Sequence, residues 1–162
     1  MKNKKLMKVC ELDKLPNLIE KLKKDNKKIV FANGCFDVLH VGHIRYLEGA
    51  KSLGDILIVG INSDKSELQL KGIGRPVMPE EDRIEIVAAL KCVDYVVPFS
   101  DLTVENLLRT IKPAIHAKGT DYTTETVPER DILLSYGGQV AITGDRKDHS
   151  TTDIISKIQQ QF

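Results

Sequence analysis

The chain has 162 residues, 41% hydrophobic and 29% charged, a size and balance that suit one domain with a buried core. Lys and Arg total 24 against 23 Asp and Glu, which excludes the strong basic excess of a dedicated nucleic-acid binder. Cys10, Cys35 and Cys92 form no disulfide framework or zinc-ribbon spacing, Met1 to Lys8 is basic with no apolar region after it, and no run is long enough to span a membrane. A cytoplasmic protein is expected, with no membrane insertion and no nucleic-acid partner.

Leu12, Leu15, Leu18, Ile19 and Leu22 recur among lysines at a helical period. They predict an amphipathic helix ending near Asn26 and packing on the sheet edge. Ile29 to Ala32 is a short apolar run that stops at Asn33 and Gly34, as a buried strand would. A helix is predicted from Val41 to Ser52, broken by Gly54 and Asp55. Ile56 to Ile61 is the clearest buried strand. A polar segment then leads to Pro79, which suits a helix start, and that helix runs through Ile84, Ile86, Val87 and Leu90. Tyr95 to Val97 is the third strand, Val104 to Ile111 a helix, Ala114 to Ala117 the fourth strand. Ile132 to Tyr136 closes a helix against Gly137 and Gly138, Val140 to Ile142 is the fifth strand, and Ile154, Ile155 and Ile158 mark a last helix.

Short apolar strands alternating with helices predict an α/β fold: a Rossmann-like, parallel, five-stranded sheet with helices on both faces. Residues 1–162 read as one domain, with 1–28 a tail and helix packed on it. Ligands of such sheets bind outside the carboxyl ends of the strands, near the reversal of strand order. The segments to inspect are therefore Asn33 to His43, Asn62 to Arg75, Lys118 to Tyr122 and Gly144 to Thr152.

The first of these reads Asn33-Gly34-Cys35-Phe36-Asp37-Val38-Leu39-His40-Val41-Gly42-His43 and opens a helix. A helix start presents unpaired N–H groups that attract phosphate. Gly42 removes a side chain where phosphate could approach the backbone. His40 and His43, three apart, fall on one side of the first turn and can both donate to one phosphoryl group. Nucleotidyl transfer asks for just this: the attacking phosphate is already anionic, so the protein must align the reactants and stabilise charge. A zinc pair is the competing reading, but zinc wants three or four ligands. Cys35 is either a nucleophile or a small buried residue beside the loop.

The run from Gly34 to His43 resembles the cytidylyltransferase-like nucleotidyltransferases, with their Gly-x-Phe-Asp stretch followed by His-x-Gly-His. Asn62-Ser63-Asp64, Glu81-Asp82-Arg83, Val93 to Val97 and Ser150-Thr151-Thr152 are similar to that superfamily as well. Within it, Phe31 to Asp37, Lys71-Gly72-x-Gly74-Arg75-Pro76-Val77 and Lys118-Gly119-Thr120-Asp121-Tyr122 resemble D-glycero-β-D-manno-heptose 1-phosphate adenylyltransferases. These make ADP-heptose for lipopolysaccharide core, often as the C-terminal half of a bifunctional protein with a sugar kinase. A free-standing form is expected here.

The resemblance implies catalytic roles for His40, His43 and Lys71, with Lys71 on a mobile loop between Leu70 and the glycines Gly72 and Gly74. The other reading of Lys71 is a solvated loop lysine. Nucleotide or substrate contacts are implied for Asn33, Gly34, Cys35, Phe36, Asp37, Gly42, Asn62, Asp64, Arg75, Arg83, Lys118, Gly119, Asp121, Tyr122, Arg146, Ser150, Thr151 and Thr152. Arg83 has a competing role in a salt bridge with Asp82 or a neighbour. Ser150, Thr151 and Thr152 precede the last helix, where one of them caps it and the others can hold phosphate. Glycerol-phosphate cytidylyltransferases place an arginine and a glycine before this triplet. Here Arg146 is displaced by one position and Asp148 stands for the glycine, while His149 is either a phosphate contact or an exposed loop histidine. The implied partners are ATP, with Mg²⁺, and a sugar 1-phosphate. A homodimer is implied, and no protein-bound metal. Other small-molecule nucleotidyltransferases, with glycerol 3-phosphate and CTP, or flavin mononucleotide and ATP, and a non-catalytic nucleotide-binding module are the alternatives.

Overall fold

The structure is a computed structural model that describes residues 6–146 and 148–161. Its five strands are β1 (Ile29–Gly34), β2 (Ile56–Asn62), β3 (Tyr95–Phe99), β4 (Ile115–Lys118) and β5 (Gln139–Ile142). They pair in parallel in the order β3-β2-β1-β4-β5. The helices are α1 (Leu15–Lys24), α2 (Val41–Lys51), α3 (Asp64–Lys71), α4 (Glu80–Ala89), α5 (Glu105–Ile111), α6 (Arg130–Ser135) and α7 (Thr151–Gln161).

Successive strand side chains point to opposite faces, so strands covered on both sides must be apolar throughout. In β1, Ile29 and Phe31 join a core built with α1, α5 and α6. Val30 and Ala32 join the other core, with Leu47 and Ala50 of α2 and Val87 and Ala88 of α4. The α/β fold with helices on both faces is thus as expected.

Three expectations change. First, α1 does not lie at the sheet edge: Leu15, Ile19 and Leu22 pack into the face cluster with Phe31 and Ile58. The edge is taken by a shorter segment. Val9 pairs in parallel with Val96 of β3, and the Cys10 N–H donates to the Val96 carbonyl at 2.9 Å. The Lys8 ammonium donates to the carbonyls of Leu90 and Val93 at 3.0 and 2.7 Å. The start of the expected tail, 1–5, lies outside the described residues. Second, the polar segment before Pro79 contains α3. The Ser63 hydroxyl caps it, accepting from the Ser66 N–H at 3.2 Å. The buried face of α3 is Ser66 and Glu67, while Leu68 and Leu70 are exposed, so it carries no apolar period to read. Third, the last helix begins at Thr151, so only Ser150 of the Ser-Thr-Thr run precedes it.

The strand order reverses between β1 and β4. The ends of β1 and β2 are tied to the start of α4 by one side chain. Arg83 is wholly buried, and its guanidinium donates to the carbonyls of Cys35 (2.6 Å), Asn62 (2.8 Å) and Met78 (3.0 Å).

Candidate active site

A cleft of about 550 Å³ opens at the carboxyl ends of the strands. Every residue given a catalytic role or a nucleotide or substrate contact from the sequence lines it except Asp64 and Arg83. Those two pair with each other at 2.7 Å. Arg83 therefore serves the loop from behind, because its guanidinium is engaged by three backbone carbonyls and by Asp64 rather than by a ligand, and Asp64 answers its charge.

The histidines sit where β1 passes into α2. The His40 ring Nδ1 accepts from the Gly42 N–H at 3.1 Å, and the His43 Nδ1 accepts from the His40 N–H at 3.3 Å. Together they form a reciprocal cap on the helix start. The rings stack with centroids 3.9 Å apart. A neutral imidazole carries one N–H. With both Nδ1 atoms accepting, the proton of each ring sits on Nε2, on the side left for the cleft. Burial, with the neighbouring His40 ring, pulls His43 down to about 4 against the influence of Asp37. Burial and the charge of His149 pull His40 down too. At neutral pH both rings are uncharged donors.

This corrects the expectation of a bare helix start. The Gly42 N–H is occupied by His40 and is not offered to a ligand. Gly42 is required for another reason as well: a Cβ there would lie 2.9 Å from His40 Cε1. The missing side chain makes room for the imidazole.

The preceding loop is strained. Phe36 and Val38 both have positive φ, at 53° and 49°, which for a β-branched residue is an outlier. Asp37 between them is buried and anchors the loop. Its carboxylate accepts from Arg75 Nε (2.8 Å) and from the N–H groups of Val77 and Met78 (2.9 Å each). Burial alone would raise its pKa, but those three donors and the Arg75 charge hold it below the usual carboxylate range. Asp37 is thus engaged with the protein and not free to hold a ligand. Arg75 also reaches Glu67 Oε1 at 3.3 Å, and Thr151 Oγ donates to the Asp37 carbonyl at 2.6 Å. Burial pushes the Cys35 thiol up to about 11, helped by Glu67 and opposed by Lys71 and Arg83. It is no nucleophile at neutral pH, which leaves it as a small half-buried residue.

Around this centre the cleft carries cations. Lys71 is exposed and ends α3, where Gly72 with φ 92° stops the helix. It is a helix-terminal lysine, not one in mid-loop. On the far side, Lys118 Nζ lies 4.0 Å from Glu129 Oε2 and 4.6 Å from the Tyr122 ring centroid. Burial lowers this ammonium's pKa, while Glu129 and Asp121 oppose it. Arg146 and His149 are exposed on the rim. The Ser150 hydroxyl accepts from the Asp153 N–H at 3.0 Å, which accounts for the cap of α7. Among the described residues, no group of three His, Cys, Asp or Glu side chains is placed to hold a metal.

Tyr46, Thr143 and Glu129 also line the cleft and were not singled out from the sequence. Tyr46 donates to the Ala117 carbonyl at 2.7 Å and Thr143 to the Tyr46 carbonyl at 3.0 Å, joining α2 to β4 and β5. Tyr46 stands one turn beyond His43 on α2, so helical spacing could have found it. Glu129 reaches the cleft from a different loop, with no local signal.

Residues 31–157 match the Cytidylyltransferase-like family. The bifunctional protein HldE of Geobacter metallireducens is 50% identical over 155 residues, 96% of this chain and 32% of that protein. HldE of Pseudomonas aeruginosa is 45% identical over 94% of this chain and 32% of its own. The chain thus spans about a third of the length of the curated relatives it matches. Among solved structures, a lipopolysaccharide core biosynthesis protein from Thermoplasma volcanium superposes with a TM-score of 0.60. It is 30% identical, and the match covers 72% of this chain and 93% of that one. The pantoate-β-alanine ligase of Francisella tularensis has a TM-score of 0.56 at 18% identity, over 93% of this chain and 76% of that one, a likeness of fold alone. No helix among the described residues is long and apolar enough to cross a membrane.

The neutral histidines predict an acid weakness. His116 on β4 is wholly buried, and burial, then Lys118, pulls it down to about 3. When unfolded, histidines titrate near 6.5. Their folded values are depressed, so the unfolded chain takes up protons first as pH falls. Stability is then full above pH 6.5 and declines toward pH 4. At pH 5, His43 and His116 should each cost on the order of 2 kcal/mol. Asp37 adds nothing in this window, since its contribution is lost only below the ordinary 3.8. Urea unfolding at pH 7.5 and pH 5.0 checks this; equal stability at the two would contradict it.

Proposed function

The chain belongs to the cytidylyltransferase-like family, and on that footing we propose that it is an adenylyltransferase joining AMP from ATP to D-glycero-β-D-manno-heptose 1-phosphate. The products are ADP-heptose and pyrophosphate, for lipopolysaccharide core. The observation that carries the reaction class is the pair of stacked imidazoles whose Nδ1 atoms are held by the helix start. Two neutral Nε2–H donors then share one cleft with Lys71, Lys118 and Arg146.

In the proposed reaction an oxygen of the sugar phosphate attacks the α-phosphorus of ATP. The new P–O bond forms as the bond to the pyrophosphate oxygen breaks, and that oxygen leaves with the electron pair. The attacking oxygen is already anionic, so no side chain has to take a proton from it. His40 and His43 donate to the phosphoryl oxygens on which charge gathers. Lys71, at the end of α3, and Lys118, on the opposite wall, offset the charge of the two phosphorylated reactants. Mg²⁺ bound to the triphosphate neutralises part of its charge. The cleft's Asp37 is fully engaged by Arg75, Val77 and Met78, so the ion would enter on ATP rather than sit on a protein cage.

The heptose acceptor is supported by the runs around Asp37, Arg75 and Asp121 and by HldE relatives at 45% and 50% identity. The similarity to the lipopolysaccharide core biosynthesis protein of Thermoplasma volcanium agrees with it. A cytoplasmic homodimer belongs to the same proposal, and sedimentation would test the dimer.

The test is pyrophosphate release with Mg²⁺ and ATP or CTP, against the heptose 1-phosphate and glycerol 3-phosphate. ATP with the heptose phosphate alone should react; CTP with glycerol 3-phosphate reacting instead would overturn the assignment. In the active pairing, His43→Ala should lower kcat about 10²–10³-fold by removing one donor. Gly42→Ala should displace the His40 ring and lower kcat about 10²-fold, with the fold intact by circular dichroism. Parent-like rates in both variants would contradict the roles given to the imidazoles.

A further inference from the structure

One buried histidine lies outside the paired donors yet touches the cleft wall. His116 sits in β4 opposite Phe31 of β1, wholly buried, with Nε2 2.9 Å from Asn33 Oδ1. Its Nδ1 is buried with no hydrogen-bond partner. That asymmetry selects the tautomer. A proton on Nδ1 would leave a buried N–H unsatisfied, the rarer and costlier orphan. A proton on Nε2 leaves only a lone pair unmatched and makes Nε2 a donor. Asn33 must then turn its oxygen to His116. Its Nδ2 amide is consequently directed away from β4, and Asn33 lines the cleft. It stands at the end of β1, where the strand order reverses toward β4, the place at which such sheets hold nucleotides.

We infer that His116 is a positioning residue: it locks the Asn33 amide so that Nδ2–H₂ donates to an oxygen of the bound nucleotide. The inference rests on the reading of this cleft as an ATP site. It concerns a residue that never meets ligand and that acts only by deciding which end of Asn33 does. Without His116, nothing fixes which end of the amide faces the cleft, and the ligand must order it on binding. The lock is also insensitive to pH in the working range, since burial keeps His116 neutral far below pH 6.

The test is Mg-ATP affinity by calorimetry on the full chain, for the parent, Asn33→Ala, His116→Leu and the double variant, with thermal melts alongside. Losing one neutral hydrogen bond should weaken ATP about 3–10-fold in Asn33→Ala, and by a similar or smaller factor in His116→Leu. The double variant should bind no more weakly than Asn33→Ala alone, because His116 has nothing left to orient. Asn33→Asp keeps the acceptor for His116 but offers an anion to the cleft, so it should weaken ATP at least about tenfold. His116→Gln, which can still donate, should recover part of the loss. These last two variants decide the matter if His116→Leu fails to fold. Parent-like affinity in Asn33→Ala and Asn33→Asp would overturn the inference. So would a His116→Leu loss that repeats in full on the Asn33→Ala background, which marks a general structural role. A parent that binds no ATP would instead overturn the proposed function, and this inference with it.

Discussion

At the start of α2, two backbone N–H groups are captured by imidazole nitrogens, and the chemistry of the cleft follows from that capture. A helix start needs acceptors for its first N–H groups. Ordinarily a serine or aspartate supplies them and nothing faces outward. Here the acceptors are Nδ1 of His40 and Nδ1 of His43, so satisfying the helix assigns the tautomer of both rings. The same contact fixes where the rings stand, one stacked on the other. Gly42 is the corollary, since the ring of His40 occupies the space that a Cβ would need. Burial then keeps the rings neutral, and neutral rings can donate to an anion without first exchanging a proton with solvent.

Holding that cap in place requires a loop the chain would not adopt alone. Positive φ at Phe36 and Val38 costs on the order of 1–3 kcal/mol each. The opposing contacts come from behind the cleft. Asp37 is fastened by Arg75 and two backbone N–H groups, and Arg83 holds the Cys35 carbonyl. Glu67 lies buried between the two arginines, 3.3 Å from Arg75 and 3.4 Å from Arg83. Burial, with Asp37 beside it, pushes Glu67 up against the pull of both. Side chains that look like ligands in the sequence are thus divided between a front row facing the cleft and a rear row that shapes it.

That division marks the limit of what the sequence makes legible. The strands were readable because β1 and β2 are apolar on both faces and the other three carry short apolar runs between helices, and the cleft because glycines and polar residues follow the strand ends. The His-x-Gly-His run located the helix start. What spacing could not show is depth. Arg83 and Asp64 carry charges suited to phosphate, yet they answer each other and the carbonyls behind the loop. Helix α3 was hidden because its buried face is Ser66 and Glu67, polar residues satisfied by Asn62 and Ser63 and by Arg75 and Arg83 instead of apolar packing. Glu129 and His116 reach the site or its wall only through long-range packing. Tyr46 is the exception, a residue that helical spacing from His43 would have found.

The tautomers of His40 and His43 test the central claim most directly. Long-range proton–nitrogen correlation spectra of ¹⁵N-histidine-labelled protein at pH 7 distinguish a pyridine-type nitrogen from an N–H nitrogen within each ring. The account predicts that both rings are neutral, with Nδ1 unprotonated and Nε2 bearing the proton. Protons on Nδ1 in either ring, or a charged imidazolium at that pH, would contradict the helix cap as the origin of the donors.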